Sequence, residues 1–574
     1  MPDPNGGGAK PPKKEISMEM RLLIAFLLMG AVLFLTPYVY KQPPAPAARK
    51  GAPAAEPSKR PAPAPAAAAA PATPAPAAPP VIPGAISADR EQDYTVDTKV
   101  YHVVFSNRGA VVKSWQLKGY RDTKGNVVDL VNGTAAPRTG YPFQFTYKDQ
   151  KPSADLNQAL YAVRQSPDGL SFEFEFSDGK SAARKTFAFG RDRYLTQITS
   201  SVTQNGAPVP NLLAWRGGFG DQTVTNPATA EHSLFFNPAD NKLTTKEAKA
   251  AKDGPVTDYG PYSFAGLEDA YFAAVFLPVN NNPFDVRTLN DAFPPAPNEK
   301  DVPHVGAAVG GEGVNHFRLF AGPKDLDILK RVDPKLEQLV DWGWFWFLAK
   351  PLFLSLNWVN DNMVRNYGWA IVLVTIAINF LLLPLKITSL QSMKKMQALQ
   401  PQINAINEKY KNVGIRDPRK AEQNQEVMDL YKKHGVNPAG GCVPMLLQIP
   451  FFFAYYKVLT VAIELRGASW LWITDLSQPE HLAIRILPVA MILTQFVLQK
   501  MTPNTSMDPA QQRVMLLMPL MFGFMFYGVA SGLVLYWLTG NLVGIAQQMY
   551  FNRKTVVPAV APVRPTPAKR RSRN

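Results

Sequence analysis

The sequence has very little of what covalent catalysis or metal binding requires. Its 574 residues include one cysteine, Cys442, so no intrachain disulfide can form, and its six histidines lack the spacing of metal ligands. Gly179-Lys180-Ser181 imitates the end of a phosphate-binding loop, but the upstream position that needs glycine holds Phe174. No Ser/His/Asp arrangement or paired-carboxylate cluster falls within the apolar segments. These absences exclude a covalent active site, and we expect no enzyme activity, no metal and no cofactor.

What the chain does contain divides into two unlike halves. The formal net charge is +16 and 46% of the residues are hydrophobic, yet the mean hydropathy is only −0.12. The first half is polar and rich in proline and turn residues, whereas long apolar runs begin at about Trp342. The average therefore describes neither half. The pattern predicts a polytopic α-helical membrane protein that also carries a separate polar domain.

The first apolar run lies near the N-terminus. Residues 1–21 are polar and basic, and residues 22–40 form a run of about the ~20 residues that a helix needs to cross a membrane. Because the positive residues come first, we expect residues 1–21 in the cytoplasm and residues 22–40 as transmembrane helix 1. A cleaved signal peptide is the alternative, but its small-residue pattern at residues 45–47 lies well past the apolar core.

A linker and a folded domain follow. Residues 41–94 are rich in Pro and Ala, so they cannot bury a core and act as an extended spacer. In residues 95–340 apolar and polar residues alternate, as in Ser171–Phe176, which runs into the turn pair Asp178-Gly179. Further strands are predicted at Tyr101–Phe105, Val111–Leu117 and Tyr194–Val202, and a helical segment at Asp325–Val340. The fold predicted for this part is a periplasmic antiparallel β-sandwich domain with one or two short helices.

Aromatic residues crowd together at the start of the second half. Residues 341–363 include Trp344, Trp346, Phe347 and Trp358. Because such rings prefer the membrane interface, these residues predict an amphipathic interface helix on the outer surface. A buried core helix of the β domain is the alternative.

Residues 364–551 are expected to hold five more transmembrane helices. The predicted spans are Tyr367–Leu385, Pro444–Leu465, Leu482–Leu498 and two within the uncharged run Val514–Ala546. That run extends over roughly 50 Å at ~1.5 Å per residue, too long for one crossing of a ~30 Å core, and Gly528 allows a turn within it. The total is six transmembrane helices with the N-terminus and the C-terminus both cytoplasmic.

The connection at residues 386–436 predicts a cytoplasmic helical hairpin. Apolar residues recur at three- and four-residue steps from Leu390 to Tyr410, and Asp417-Pro418 begins a second helix. The hairpin and the basic cytoplasmic tail, residues 552–574, could contact the ribosome, including its RNA, or targeting factors. The candidate partner-binding residues are Lys394, Lys395, Lys409, Lys411, Arg416, Arg419, Lys569, Arg570 and Arg571. For the tail, a role in topology alone explains the charge equally well.

Polar side chains occur inside the predicted spans. Thr375 and Asn379 lie four residues apart on one helix face, and Gln448 precedes Pro450. The others are Thr494 and Gln495 in the fourth span and Asn541 and Gln547 in or at the end of the sixth. Amides in hydrocarbon are costly unless they are paired or hydrated. Hydrogen bonds between helices would satisfy them, and so would a partly hydrated cavity, and the pattern leaves both open.

Three segments of the second half carry specific motifs. They are Asp341-Trp342-Gly343-Trp344 with Lys350-Pro351-Leu352-Phe353, Asn437-Pro438-Ala439-Gly440-Gly441-Cys442 with Pro444 and Gln448-Ile449-Pro450, and Ser531-Gly532-Leu533-Val534-Leu535-Tyr536-Trp537 with Asn541-Leu542-Val543. On these motifs the chain resembles the YidC family of membrane protein insertases, most closely from about Val340 to Arg553. The long β domain is similar to that of the Gram-negative form.

The resemblance implies a mechanism. Members use a groove in the inner half of the membrane that opens to the cytoplasm and to lipid, usually with an arginine in the second span. That position falls on Asn379 here, which can hydrate a groove but cannot attract an acidic segment by charge. Asn379→Arg is expected to be tolerated if the groove is open to water. The positions that match the groove are Asn379, Thr375, Gln448, Thr494, Tyr536 and Trp537.

The function implied is that of an insertase and folding chaperone of the bacterial inner membrane. It would move hydrophobic segments of nascent proteins into the bilayer, alone or with the Sec translocon, without a small-molecule substrate. Two alternatives belong to other classes. A small-solute transporter often has repeated halves with broken helices, and we see no internal repeat. A structural envelope protein would act through residues 95–340.

Overall fold

The computed structural model describes residues 84–224, 227–280, 282–294, 300–411, 417, 419–436, 443–501 and 509–554. The predicted first span, most of the linker, the Asn437–Cys442 motif and most of the basic tail lie outside these residues. The chain divides into two compact units. The β unit comprises the described residues within Pro71–Trp342 and Thr460–Gly467, and the helical unit comprises the remaining described residues from Gly343 onward.

The β unit contains three antiparallel sheets. The four-stranded sheet has the order β1 (Asp93–Asp97), β2 (Tyr101–Ser106), β3 (Val111–Arg121), β4 (Val127–Asp129). The ten-stranded sheet has the order β13 (Lys242–Lys246), β12 (His232–Asn237), β15 (Phe264–Glu268), β16 (Phe272–Pro278), β19 (Asn315–Pro323), β9 (Leu195–Gln204), β8 (Ser181–Phe189), β7 (Ser171–Ser177), β6 (Ala162–Gln165), with β10 (Ala207–Pro208) on β9. The five-stranded sheet has the order β14 (Val256–Gly260), β17 (Phe284–Phe293), β18 (Val302–Gly311), β11 (Asn211–Trp215), β5 (Gln144–Thr146).

Aromatic side chains fill the space between these sheets. Strand β7 alternates as the sequence predicts, with Phe172 and Phe174 buried, and its hairpin partner β8 buries Phe187. These rings pack on Phe105 of β2, with a ring-centroid distance of 4.8 Å between Phe105 and Phe187. Aromatic burial of this size is the main stabilising contribution to such a core. The predicted β-sandwich is confirmed.

Short helices complete the β unit. Helix α1 (Ala136–Thr139) follows β4, and helix α2 (Leu326–Val332) follows β19. Asp325 caps α2 by accepting hydrogen bonds from two backbone N–H groups. Pro334 then begins a 3₁₀ turn at Pro334–Leu339, so the predicted helical segment Asp325–Val340 is two short pieces.

Asp269 is a buried acidic residue in the turn between β15 and β16. Its carboxylate accepts hydrogen bonds from the backbone N–H groups of Asp221 (2.9 Å), Tyr271 (2.8 Å) and Phe272 (2.6 Å). Gly220, at φ +82°, approaches so closely that a Cβ there would lie 2.0 Å from Asp269 Oδ2. Burial outweighs the three hydrogen bonds and raises the pKa of Asp269 from 3.8 to about 6.

The raised pKa predicts that the stability of the β unit depends on pH. Below about pH 4 Asp269 is protonated in the folded and the unfolded chain, and its contribution is fully present. From about pH 4 to about pH 6 only the unfolded chain loses the proton, so the free energy of unfolding falls by up to about 1.4 kcal/mol per pH unit. Denaturation midpoints of the wild type should therefore fall across this window relative to those of Asp269→Asn. A constant difference between the two proteins would contradict the assignment.

The helical unit contains nine described α-helices. They are α3 (Trp346–Val359), α4 (Tyr367–Leu381), α5 (Leu383–Ala398), α6 (Gln400–Lys409), α7 (Arg419–Lys433), α8 (Val443–Val461), α9 (Ile486–Met501), α10 (Pro509–Phe526) and α11 (Ser531–Lys554). A π-helical turn, Asn360–Val364, extends α3. Leu382 separates the end of α4 from the start of α5. Pro384 lies in the first turn of α5, the position in a helix where a residue without a backbone N–H is tolerated.

Helix α3 is two-sided. It buries Leu352, Phe353 and Leu356, whereas Trp346 is 61% exposed and Trp358 is 60% exposed. This is the distribution expected of the predicted interface helix, although the helix begins at Trp346 and not at residue 341.

Helices α5 to α7 lie within the range predicted for the hairpin and pack against one another. Met396, Leu399 and Ile403 of the outgoing helices pack against Tyr431 and Val436 of the return arm. Across the same contact Gln423 donates to Asn407 at 2.7 Å. The two helical arms therefore bury a small core of their own.

Two observations bear on the predicted spans. Among the described residues no single helix is both long and apolar enough to cross a membrane, and one pair, Trp346–Val364 with Tyr367–Leu381, would pass together but is bent by 115°. The third span was predicted to reach Leu465, but α8 ends at Val461. The predicted end is wrong because Ala462 is extended and Ile463 packs in the core of the β unit.

Candidate functional site

The polar residues of α4 are satisfied locally and lie on one face. Thr375 Oγ1 donates to the Ile371 carbonyl at 2.6 Å, and Asn379 Nδ2 donates to the Thr375 carbonyl at 2.8 Å. Thr375 is fully buried and Asn379 nearly so. Bonds to the carbonyl one turn earlier give each of these side chains a hydrogen-bond partner on its own apolar helix.

Two tyrosines connect this face to α8 and α11. Thr375 Oγ1 lies 3.2 Å from the Tyr455 hydroxyl, and the Tyr455 ring stacks on Tyr536 with centroids 4.1 Å apart. Gln448 Nε2 then donates to the Tyr536 hydroxyl at 2.6 Å. Two hydrogen-bonding contacts and one pair of stacked tyrosine rings thus connect the three helices.

A lysine closes the chain at its other end. Lys386 Nζ donates to Asn379 Oδ1 at 2.6 Å and lies 3.5 Å from Gln547 Oε1. Gln547 Nε2 in turn donates to the Asn379 carbonyl at 3.4 Å. The polar cluster is defined as Thr375, Asn379, Lys386, Gln448, Tyr455, Tyr536 and Gln547. Within it Lys386, Gln448 and Gln547 are half-buried and the others are buried.

Two predicted groove residues lie outside this cluster. Thr494 donates to the Ala490 carbonyl at 2.9 Å and accepts from Asn541 Nδ2 at 3.2 Å. Trp537 Nε1 donates to Gln495 Oε1 at 3.3 Å. The Trp537 ring packs against Phe452, Phe522 and Phe526. Tyr536 and Trp537 are neighbours in sequence, but about 100° of helix rotation separates them, so they contact different partners.

Comparison with known proteins identifies the family. The family model described as the 60Kd inner membrane protein matches residues 358–558, and that of the YidC periplasmic domain matches residues 93–355. The membrane protein insertase YidC of Citrifermentans bemidjiense is 37% identical over 93% of this chain and 99% of its own length. The chain belongs to the YidC family. The YidC of Syntrophus aciditrophicus is 35% identical over 94% of this chain and 100% of its own length.

A solved YidC insertase with its first transmembrane domain resolved aligns over 81% of this chain and 94% of its own, with 19% identity and a TM-score of 0.36. The family assignment rests on the sequence matches. Like other YidC proteins, the chain is an inner membrane protein with a periplasmic domain, which in this structure is the β unit. The YidC family is not enzymatic, so the prediction that the chain is no enzyme is confirmed.

The structure brings together four of the six residues that matched the YidC groove. Asn379, Thr375, Gln448 and Tyr536 belong to the polar cluster, whereas Thr494 and Trp537 lie beside it. Sequence reasoning did not select Lys386 or Tyr455 for this site, and it noted Gln547 as a polar residue of the last span without placing it among the groove positions. A signal was available for the first two. Lys386 is seven residues after Asn379, and Tyr455 seven after Gln448, a spacing of two helical turns that returns to the same face.

The basic residues predicted to bind a YidC partner have intramolecular contacts in several cases. Lys394 donates to the Phe551 carbonyl at 2.8 Å, near the end of α11. Lys409 pairs with Glu426, Lys411 with Glu408 at 3.2 Å, and Arg419 with Asp417 at 2.7 Å. Lys395 is exposed. Arg416, Lys569, Arg570 and Arg571 lie outside the described residues.

Proposed function

We propose that this YidC-family chain moves hydrophobic segments of nascent proteins into the inner membrane through a groove whose polar wall is the polar cluster. The observation that carries the proposal is the chain of contacts from Lys386 through Asn379, Thr375, Tyr455 and Tyr536 to Gln448. It connects Lys386 of α5 with α4, α8 and α11, three helices that otherwise present mainly apolar side chains. A polar path among apolar helices is what a segment with a polar flank needs to pass.

The energetics of insertion require no cofactor. Each apolar residue at mid-helix favours insertion by about 0.3–0.6 kcal/mol, so a whole span inserts spontaneously once it reaches the bilayer. The barrier is the polar flank, where a single central charge costs ~3 kcal/mol or more. Side chains that can hydrogen-bond this flank shorten its path through hydrocarbon. The protein lowers a barrier and changes no covalent bond.

The topology proposed for this function is six transmembrane helices with both termini cytoplasmic. Residues 22–40 would supply the first, and α4, α8, α9, α10 and α11 the others. Helices α9, α10 and α11 expose large apolar side chains suited to lipid. The most exposed examples are Leu493 (61%), Leu517 (61%) and Phe524 (88%). The exposed tryptophans of α3 would hold that helix at the outer interface.

The partners proposed are nascent membrane proteins, the Sec translocon and the ribosome. The hairpin of α5–α7 supports a docking role because it has a small core of its own and an exposed basic surface. The basic tail, residues 552–574, would add attraction to ribosomal RNA or to anionic lipid.

Site-specific photocrosslinking tests the groove. A photoreactive residue at Gln448, in the polar cluster, should capture a stalled nascent chain with a single apolar span, whereas the same residue at Phe524 reports capture through lipid. Phe524 is the matched control because it is 88% exposed on an apolar helix. We expect capture at position 448 to exceed that at position 524 severalfold. Equal capture at the two positions would refute the groove, and a second probe at Gln547 repeats the test from another helix.

A further inference from the structure

Lys386 points into the helix bundle. It lies in the first turn of α5, but its Nζ reaches back seven residues to Asn379 Oδ1, at 2.6 Å, on the buried face of α4. A lysine at the end of an apolar helix normally extends its ammonium group towards the membrane surface. The Lys386 side chain instead extends back towards Asn379, seven residues earlier in the sequence. Contact of the ammonium group with water at the membrane surface therefore does not explain its position.

The partners of Lys386 are neutral. Among the described residues its ammonium group contacts amide oxygens, those of Asn379 and Gln547, and forms no ion pair. An ammonium group has three N–H donors and a full charge, and amides compensate the charge only in part. A half-buried cation held by neutral groups is poised to bind an anion, because a carboxylate about 4 Å away gains more there than it would in water.

We propose that Lys386 supplies the positive charge of the groove, that Asn379 and Gln547 position it, and that it binds a carboxylate on the polar flank of an entering segment. The inference rests on the groove proposed above. It revises the expectation that a groove with Asn379 at its centre is uncharged. A carboxylate of the entering protein segment is favoured over the phosphate of a lipid headgroup. The reason is that the Lys386 Nζ is directed at Asn379, which is buried on α4.

Selectivity for flank charge is the test. The full chain and its variants are reconstituted in vesicles and given two matched single-span substrates, whose translocated flanks carry either two Asp or two Asn residues. The measured quantity is the ratio of protease-protected acidic-flank to neutral-flank substrate. Lys386→Gln should lower this ratio roughly fivefold or more, and Lys386→Arg should retain it. Lys180→Gln, the loss of an exposed charge in the turn before β8 and away from both the polar cluster and the hairpin, is the control and should leave the ratio unchanged.

Moving the charge provides a second test. In Asn379→Arg the new guanidinium would lie beside the Lys386 ammonium, so the single variant should insert both substrates poorly, contrary to the tolerance expected from sequence. The double variant Asn379→Arg/Lys386→Gln restores one cation and should recover the ratio. If Lys386 had a purely structural role, a positive charge at position 379 would not restore the ratio of acidic-flank to neutral-flank substrate.

Three outcomes would overturn the inference. An equal loss for both substrates in Lys386→Gln would mean that Lys386 only holds the helices together. An unchanged ratio would mean that its charge is not sensed. A ratio effect that disappears when anionic lipids are replaced by zwitterionic ones would assign the site to the headgroup of an anionic lipid. None of these results alters crosslinking at Gln448, so failure of this inference and failure of the groove are distinguishable.

Discussion

Replacing Lys185 by Met should lower the unfolding temperature of the β unit by roughly 10 °C. Lys185 lies on β8, on the side that also faces inward at Phe187, and is completely buried. Its Nζ donates to the carbonyls of Gly109 (2.8 Å), Ala110 (3.2 Å) and Phe143 (2.6 Å). The ammonium group also lies 4.2 Å from the centre of the Phe145 ring.

Two effects oppose each other at this lysine. Burial lowers the pKa of Lys185 well below its usual value of 10.5, because the interior disfavours charge. The three carbonyl oxygens, in contrast, use all three N–H donors of the charged form. Methionine keeps the volume and removes the burial cost but withdraws a donor from each carbonyl. Each such loss costs about 1–3 kcal/mol, so we expect a net loss of about 3 kcal/mol or more.

The measurement is the thermal unfolding of the full chain in detergent, and the loss of protease resistance of the β unit serves as the readout of unfolding. Lys180→Met is the matched control, since Lys180 is exposed in the turn before the same strand. An unfolding temperature of Lys185→Met within about 2 °C of the wild type would show that the carbonyls do not depend on the lysine.

Arg466→Ala is the second change with a large expected effect. Arg466 belongs to Thr460–Gly467, the segment after α8 that is part of the β unit. Its guanidinium pairs with Asp221, donates to the Arg121 carbonyl at 2.8 Å, and lies 5.2 Å from the Tyr271 ring and 5.3 Å from that of Phe272. Both charged side chains are more than 90% buried. Removing one partner of a buried pair strands the other charge and costs about 3–5 kcal/mol.

A double-mutant cycle separates the pair from the packing. Arg466→Ala, Asp221→Asn and the double variant are compared by the same unfolding measurement, with the exposed Arg193→Ala as control. The double variant should be less destabilised than the sum of the single variants, because neither charge is then left alone. Strict additivity would show that Arg466 acts through its ring contacts and not through Asp221.

The two halves of the chain were predictable from sequence to different degrees. Strands β7 and β8 followed from the alternation around Phe172 and Phe174 and from the turn at Asp178-Gly179. The same alternation places Lys185 inward. The buried lysine is stabilised by backbone carbonyls that lie 42 to 76 positions away in the sequence. A local sequence pattern cannot show that these carbonyls are present.

The candidate site shows the same division. The four-residue spacing of Thr375 and Asn379 was enough to place them on one face of α4, because an α-helix repeats every 3.6 residues. That Asn379 would meet Gln547 was not predictable, because these residues are 168 positions apart and the packing of α4 on α11 joins them. The seven-residue spacing of Asn379 and Lys386 was visible in the sequence, but the approach of Lys386 to Gln547 was not, because α11 supplies that residue from 161 positions away.

The sequence by itself determined the division into a β domain and an apolar helical part, the two-sided aromatic helix α3 within its predicted range, the absence of a catalytic motif and the family. These follow from composition, periodicity and motifs, which are local properties of the chain. Tertiary structure alone decided that Arg466 completes the β unit from 245 positions beyond Asp221, that Thr494 and Trp537 lie outside the polar cluster, and that Gln547 lies beside Lys386. The physical reason is that hydrogen bonds and ion pairs are satisfied by whichever groups packing brings near, and packing joins positions that sequence keeps apart.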